Sequence, residues 1–146
     1  MCGQTFSSYI EPVSRLQERV INAIFYPPNF SNSPPIFKNN NLLRLPAIFK
    51  LKLLTFVYES INKISPTCFH NFFSLSSSVH QYQTRQSSGG CLFLLQCNSQ
   101  LYGIKSIRYH GAKLWNTLFM DIRNSPTKYS LKKKLKTHLI ISNNIM

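Results

Sequence analysis

Few residues in this 146-residue chain have the type and spacing that chemistry requires. The carboxylates number four: Glu11, Glu18, Glu59 and Asp121. Two-metal phosphoryl transfer needs several carboxylates to hold both cations, and one aspartate with three scattered glutamates does not supply them. The candidate metal ligands are Cys68, His70, His80, Cys91, Cys97 and His110. Structural zinc sites take ligands two to four residues apart in tight turns, whereas Cys91 and Cys97 stand six apart in an apolar run. No metal and no cofactor is therefore assigned. A Cys–His nucleophile would need an activated thiol, and nothing in the pattern marks one. The cysteines, with Cys2 the fourth, form no Cys-x-x-Cys pair, so free thiols in a reducing compartment are expected rather than disulfides.

The chemistry that the sequence does offer is electrostatic. Lys and Arg total 17 against four acids, a net charge of +13. Such an imbalance repels itself in a compact fold and becomes tolerable when a polyanion supplies countercharge. The bias concentrates near the C-terminus. Lys105, Arg108, Lys113, Arg123, Lys128, Lys132, Lys133, Lys134 and Lys136 face a single acid, Asp121, in that interval. Each lysine that meets a phosphate releases condensed counterions, which gives affinity without sequence reading. Arg85, beside Tyr82 in a loop-like segment, joins these as a candidate contact, although anchoring loop carbonyls would explain it equally. The competing readings of the basic stretch are a charged solvent face on a leucine-striped helix and an anionic membrane-surface helix. Nucleic acid, RNA or DNA, ranks first as partner and a membrane second, and no small-molecule substrate is expected.

The elements that would carry these residues follow from apolar spacing. With 43% apolar and 13% aromatic residues the chain has material for a core. Over 11–25, Val13, Leu16, Val20, Ile21, Ile24 and Phe25 recur at three and four, the mark of a helical face. Pro12 would then sit in the first turn. A Pro/Asn-rich connector follows at 27–45, with one helical turn near Phe37. Residues 46–64 make a second helix whose stripe, including Ile48, Leu51, Leu54, Val57, Tyr58 and Ile61, is broad enough to be buried on two sides. Phe69, Phe72 and Phe73 would turn inward from a short helix. Residues 74–90 form a Ser/Gly-rich linker.

The run 91–97 has the pattern of a buried strand, and 105–109 of its antiparallel return, so a small hairpin is expected. His110-Gly111 would turn the chain into a helix over 112–122 built around Trp115, which belongs to the core with Leu114, Leu118, Phe119 and Ile122. Ser125 would cap a last helix from Pro126 to about 141, with Leu131, Leu135 and Leu139 buried. The expectation is one mainly helical α+β domain over 1–146, with two N-terminal helices, a hairpin, a C-terminal helix pair, and frayed ends at 1–9 and 142–146. No signal peptide and no apolar window long enough to span a bilayer is found, so an intracellular location is expected.

Several stretches, in order, carry a resemblance. They are Leu16-Gln17-Glu18-Arg19-Val20-Ile21, then Pro35-Ile36-Phe37-Lys38 with Leu42 and Leu45, the helix from Ile48 to Ile64, and Asn71-Phe72-Phe73. His80-x-Tyr82-x-Thr84-Arg85, the run from Ser106 to Asn116, and Lys132-Lys133-Lys134-Leu135-Lys136 complete the set. Together they resemble the C-terminal region, downstream of the polymerase domain, of reverse transcriptases from non-LTR (LINE-type) retrotransposons, over about residues 2–141. The family often has proline where Ala112 stands and an aromatic where Leu131 stands. Its polymerase domain carries a Tyr-x-Asp-Asp-type metal site that has no counterpart here. The resemblance implies a noncatalytic retrotransposon fragment, without polymerase or endonuclease domains, that holds RNA or DNA phosphates through its basic helix. The alternatives are a packing module with no independent activity and a binder of anionic membrane surfaces.

Overall fold

The fold was analysed in a computed structural model, which describes residues 7–25, 37, 39–79, 90–96, 103 and 106–142. The described residues are mainly helical, in the order α1 (Ser7–Phe25), α2 (Leu45–Ile61), a 3-10 turn (Thr67–Phe69), α3 (Ser76–Val79), α4 (Ile107–Asn116), α5 (Met120–Arg123) and α6 (Lys128–Ser142). Contacts divide the chain into two compact units, one formed by Met1–Leu51 with Leu135–Met146 and the other by Lys52–Lys134.

In the first unit, α1 starts four residues earlier than the sequence suggests, so Pro12 lies inside the helix and one backbone bond is missing there. Gln17 holds the connector at both polarities. Its Nε2 donates to the Leu43 carbonyl at 3.0 Å and its Oε1 accepts from the Leu45 N–H at 2.9 Å. Ile21 packs with Phe37 and Leu42. Arg44 lies over the Phe37 ring, 5.1 Å from its centroid, and within 3.7 Å of Glu18. The rest of the expected α1 face is not covered: Val13, Leu16, Val20, Ile24 and Phe25 are exposed.

The second unit is built on α2. Leu53, Leu54, Val57 and Tyr58 are buried, whereas Ile48, Leu51 and Ile61 of the expected stripe are half-buried, and Thr55 and Ser60 are buried among them. The helix stops at Ile61 rather than Ile64. Lys63 adopts a left-handed φ of 56°, with Ile64 N bonded to Glu59 O at 2.8 Å and Lys63 N to Ser60 O at 3.3 Å. Around Phe56 the rings of Phe69, Phe72 and Phe73 stack edge-on at 5.2–6.2 Å, an arrangement favoured by the ring quadrupole.

The expected hairpin is not formed among the described residues. Ile107, Arg108 and Tyr109 are the first turn of α4 rather than a strand, because the Ser106 hydroxyl accepts the Tyr109 N–H at 3.2 Å and caps the helix. Gly111 is not a turn residue but a contact residue. A Cβ there would lie 3.0 Å from Val57 Cγ2 and 3.2 Å from the Phe73 ring. Residues 91–93 instead pair backwards, through a single antiparallel bridge of Leu92 with Leu75. The expected 112–122 helix is broken at Thr117, whose hydroxyl donates to the Leu114 carbonyl at 2.7 Å. Trp115, Leu118 and Ile122 are buried as expected, whereas Phe119 is exposed. Ser125 does not cap α6. Its hydroxyl donates to the Ile122 carbonyl, and Thr127 caps instead, accepting the Ser130 N–H at 3.2 Å. Along α6, Leu131, Leu135 and Leu139 are buried.

Candidate nucleic-acid interface

The basic helix α6 contains no acid, and its buried leucines recur every four residues; of the positions between and beside them, Ser130, His138 and Ile140 are half-buried and the rest are exposed. Tyr129, Lys132, Lys133 and Lys136 are exposed at spacings of three, four and seven. Residues so spaced share one side of a helix. Tyr129 is 78% exposed, which leaves a phenol ring standing among ammonium groups. Charge alone did not single out that aromatic, although its place three and four residues before Lys132 and Lys133 was the available signal.

The remaining basic candidates lie on several elements. Lys128 forms an ion pair with Glu59, and Lys134 donates from Nζ to the Asp121 carbonyl at 2.7 Å, tying α6 to α5. Arg123 is half-buried and turned inward, with Nη1 3.0 Å from Cys91 Sγ. Arg108 is half-buried with its guanidinium 5.8 Å from the Phe72 ring centroid, a cation–π distance. Lys113 is exposed on α4. Arg85 and Lys105 lie outside the described residues. The eight described candidates thus differ in what they touch and in how exposed they are. Lys128, Lys132, Lys133, Lys134 and Lys136 are all exposed on α6, and of these Lys132, Lys133 and Lys136 share a side with Tyr129.

The acids deepen this asymmetry. Glu11 pairs with Arg15, Glu18 with Arg44 and Glu59 with Lys128. Three of the four negative charges are therefore paired with Arg15, Arg44 and Lys128, and α6 itself carries no acid.

Among the described residues no three His, Cys, Asp or Glu side chains gather as a metal-binding set, and Cys68 and Cys91 are free thiols. His80 and Cys97 lie outside the described residues. Two hollows in the second unit measure about 290 and 250 Å³, one lined by His70, Asn71 and Phe73 and the other by Tyr58, Trp115 and Arg123. Both fall below the usual 300–1,000 Å³ of a small-molecule pocket, and in the first the His70 Nε2 lies 2.6 Å from the Ser65 carbonyl oxygen. No helix among the described residues is long and apolar enough to cross a membrane. Compared with protein-family models, with curated proteins and with solved structures, the chain matches none of them.

Proposed function

We propose that the chain is a noncatalytic nucleic-acid-binding module that holds RNA or DNA phosphates through α6, as the resemblance to the C-terminal region of non-LTR retrotransposon reverse transcriptases implies. The observation that carries this reading is the exposed row Lys132, Lys133 and Lys136 beside Tyr129, on an acid-free helix of a chain with net charge +13. Phosphate contacts of this kind give affinity and orientation without base reading, so the binding is nonspecific. Tyr129 adds a flat apolar face on which an unpaired base can stack. The same charge and an exposed tyrosine would also suit an anionic lipid surface, and it is the resemblance that ranks nucleic acid first.

The test is fluorescence anisotropy with single-stranded RNA and duplex DNA over a salt series. Wild type is compared with Lys132→Gln/Lys133→Gln/Lys136→Gln and, separately, with Lys134→Gln. The triple variant should flatten the logarithmic salt slope by about 0.7–0.9 for each phosphate that the removed lysines had neutralised. Lys134→Gln, whose ammonium is engaged by the Asp121 carbonyl, should change the slope less than the triple variant does. A folded, monodisperse chain that binds neither polymer at low salt, or binds anionic vesicles more tightly than RNA, would overturn the proposal.

A further inference from the structure

The helix α1 leaves most of its apolar face uncovered. It runs for 19 residues, yet only Ile21 of its large apolar side chains is buried. Tyr9, Val13, Leu16, Val20 and Ile24 are 72, 51, 55, 56 and 69% exposed. Their steps of four, three, four and four place them on one stripe, about 22 Å long at 1.5 Å per residue. The helix attaches to its own unit through Gln17 and Ile21, which border the stripe on one side. A continuous apolar row of this length is a contact surface rather than scattered surface hydrophobics.

We infer that this stripe is a self-recognition surface, which takes the same stripe of a second copy of the chain with the two helices antiparallel about a two-fold axis. The spacing supports the pairing. When the helix is reversed about the midpoint between Leu16 and Gln17, Tyr9 falls opposite Ile24, Val13 opposite Val20, and each Leu16 opposite Gln17 of the other copy, next to the axis. A two-fold contact needs a patch complementary to itself, and this stripe is. Gln17 does not disrupt the seam, because its amide is already bonded to Leu43 and Leu45.

Charge selects the occupant. The whole chain carries +13, so two copies repel over most of their surfaces. On α1, however, Glu11 and Glu18 balance Arg15 and Arg19, and the helix is neutral. It is a surface on which a second cationic copy can approach with little penalty. The same neutrality gives no hold to a polyanion or an anionic membrane. The association is weak, because a contact of two single helices falls short of the roughly 1,200 Å² buried in stable complexes.

The inference is independent of nucleic-acid binding and is tested without nucleic acid. Sedimentation velocity on the full chain, from about 10 to about 500 µM, covers the range in which so small an interface populates. Moderate salt screens the general repulsion. The wild type should approach twice its monomer mass as concentration rises. Val13→Glu alone and Val20→Lys alone should each stay at monomer mass, with helical circular dichroism unchanged because both positions are half exposed. The double variant Val13→Glu/Val20→Lys should recover dimer, because the antiparallel register sets each introduced carboxylate against the other copy's introduced ammonium. A wild type that stays monomeric throughout overturns the inference, as does a dimer that survives both single substitutions. A double variant that remains as monomeric as the single ones overturns the antiparallel register, and with it the proposed seam. Binding of the stripe to neutral lipid vesicles with no change in mass would also overturn it.

Discussion

The side-chain amide of Asn116 grips the backbone of Leu92 from both sides, with Oδ1 accepting the Leu92 N–H at 2.8 Å and Nδ2 donating to the Leu92 carbonyl at 2.9 Å. Asn116 is the last residue of α4, and Leu92 is 2% exposed in a segment that makes only an isolated bridge. The amide thus takes the place of the missing neighbouring strand and leaves neither Leu92 group orphaned. Asn116→Asp tests this with almost no change in shape. It keeps the acceptor but sets a carboxylate oxygen against the Leu92 carbonyl. A loss of about 2 kcal/mol in urea unfolding is expected, and a loss below about 0.5 kcal/mol would show that the grip is not structural.

Tyr58 links distant parts of the second unit in a similar way. Its phenol, on a residue 4% exposed, donates to the Ser125 carbonyl at 3.0 Å across 67 positions of sequence. Tyr58→Phe preserves the ring and leaves that carbonyl without its donor. The expected cost is about 1–2 kcal/mol, a drop in melting temperature of roughly 2–8 °C for a chain of this size. Differential scanning calorimetry reads this directly, and an unchanged transition would mean that water reaches the carbonyl.

Gly111 sits in the middle of α4, where alanine would ordinarily gain about 1 kcal/mol of helix propensity. Packing opposes that gain. The added methyl would press on Val57, which is fully buried, and on Phe73, whose ring is held edge-on by Phe56 and Phe72. Overpacking of this kind costs about 1–3 kcal/mol, so Gly111→Ala is expected to be destabilising by about 1 kcal/mol in net terms. A stabilised variant in chemical denaturation would show that the Val57 and Phe73 side chains can yield.

Gly111 also marks where local pattern ceases to be informative. His-Gly after Ile-Arg-Tyr has the composition of a strand and its turn, and only the proximity of Val57 and Phe73 shows why a helix needs glycine there. The Ser106 cap could have been suspected from its hydroxyl, but β-branched and aromatic residues at 107 and 109 outweighed it. The α2 core was legible because a broad stripe of large apolar residues has few ways to avoid burial. The α1 face was legible as a face, and that most of it is exposed was not, since periodicity says which residues lie together and not what covers them. The same holds at α6. The lysines were plain in the sequence. That Lys128 is engaged by Glu59, Lys134 by a carbonyl, and Arg123 turned to Cys91 depends on partners 13 to 69 positions away, and no local pattern encodes it.

Tyr129 offers the sharpest division between readings of the basic helix. If α6 is only a charged solvent face, a ring that is 78% exposed contributes nothing, and its removal is silent. If α6 meets duplex backbone alone, Tyr129→Ala changes affinity little, because paired bases present no free face. If it holds single strands, removing the stacking ring should cost about 1–3 kcal/mol, roughly 5- to 150-fold in affinity. Tyr129→Phe should retain most of the binding, since stacking uses the ring rather than the hydroxyl. Tyrosine fluorescence is an ambiguous reporter in a chain with seven tyrosines and one tryptophan. Anisotropy of labelled single-stranded and duplex oligonucleotides at matched salt is therefore the measurement to use. A selective loss of single-strand affinity in the alanine variant, spared in the phenylalanine variant, places an unpaired base on Tyr129. Equal losses on both polymers would mean that the substitution perturbs the helix rather than a stacking interaction.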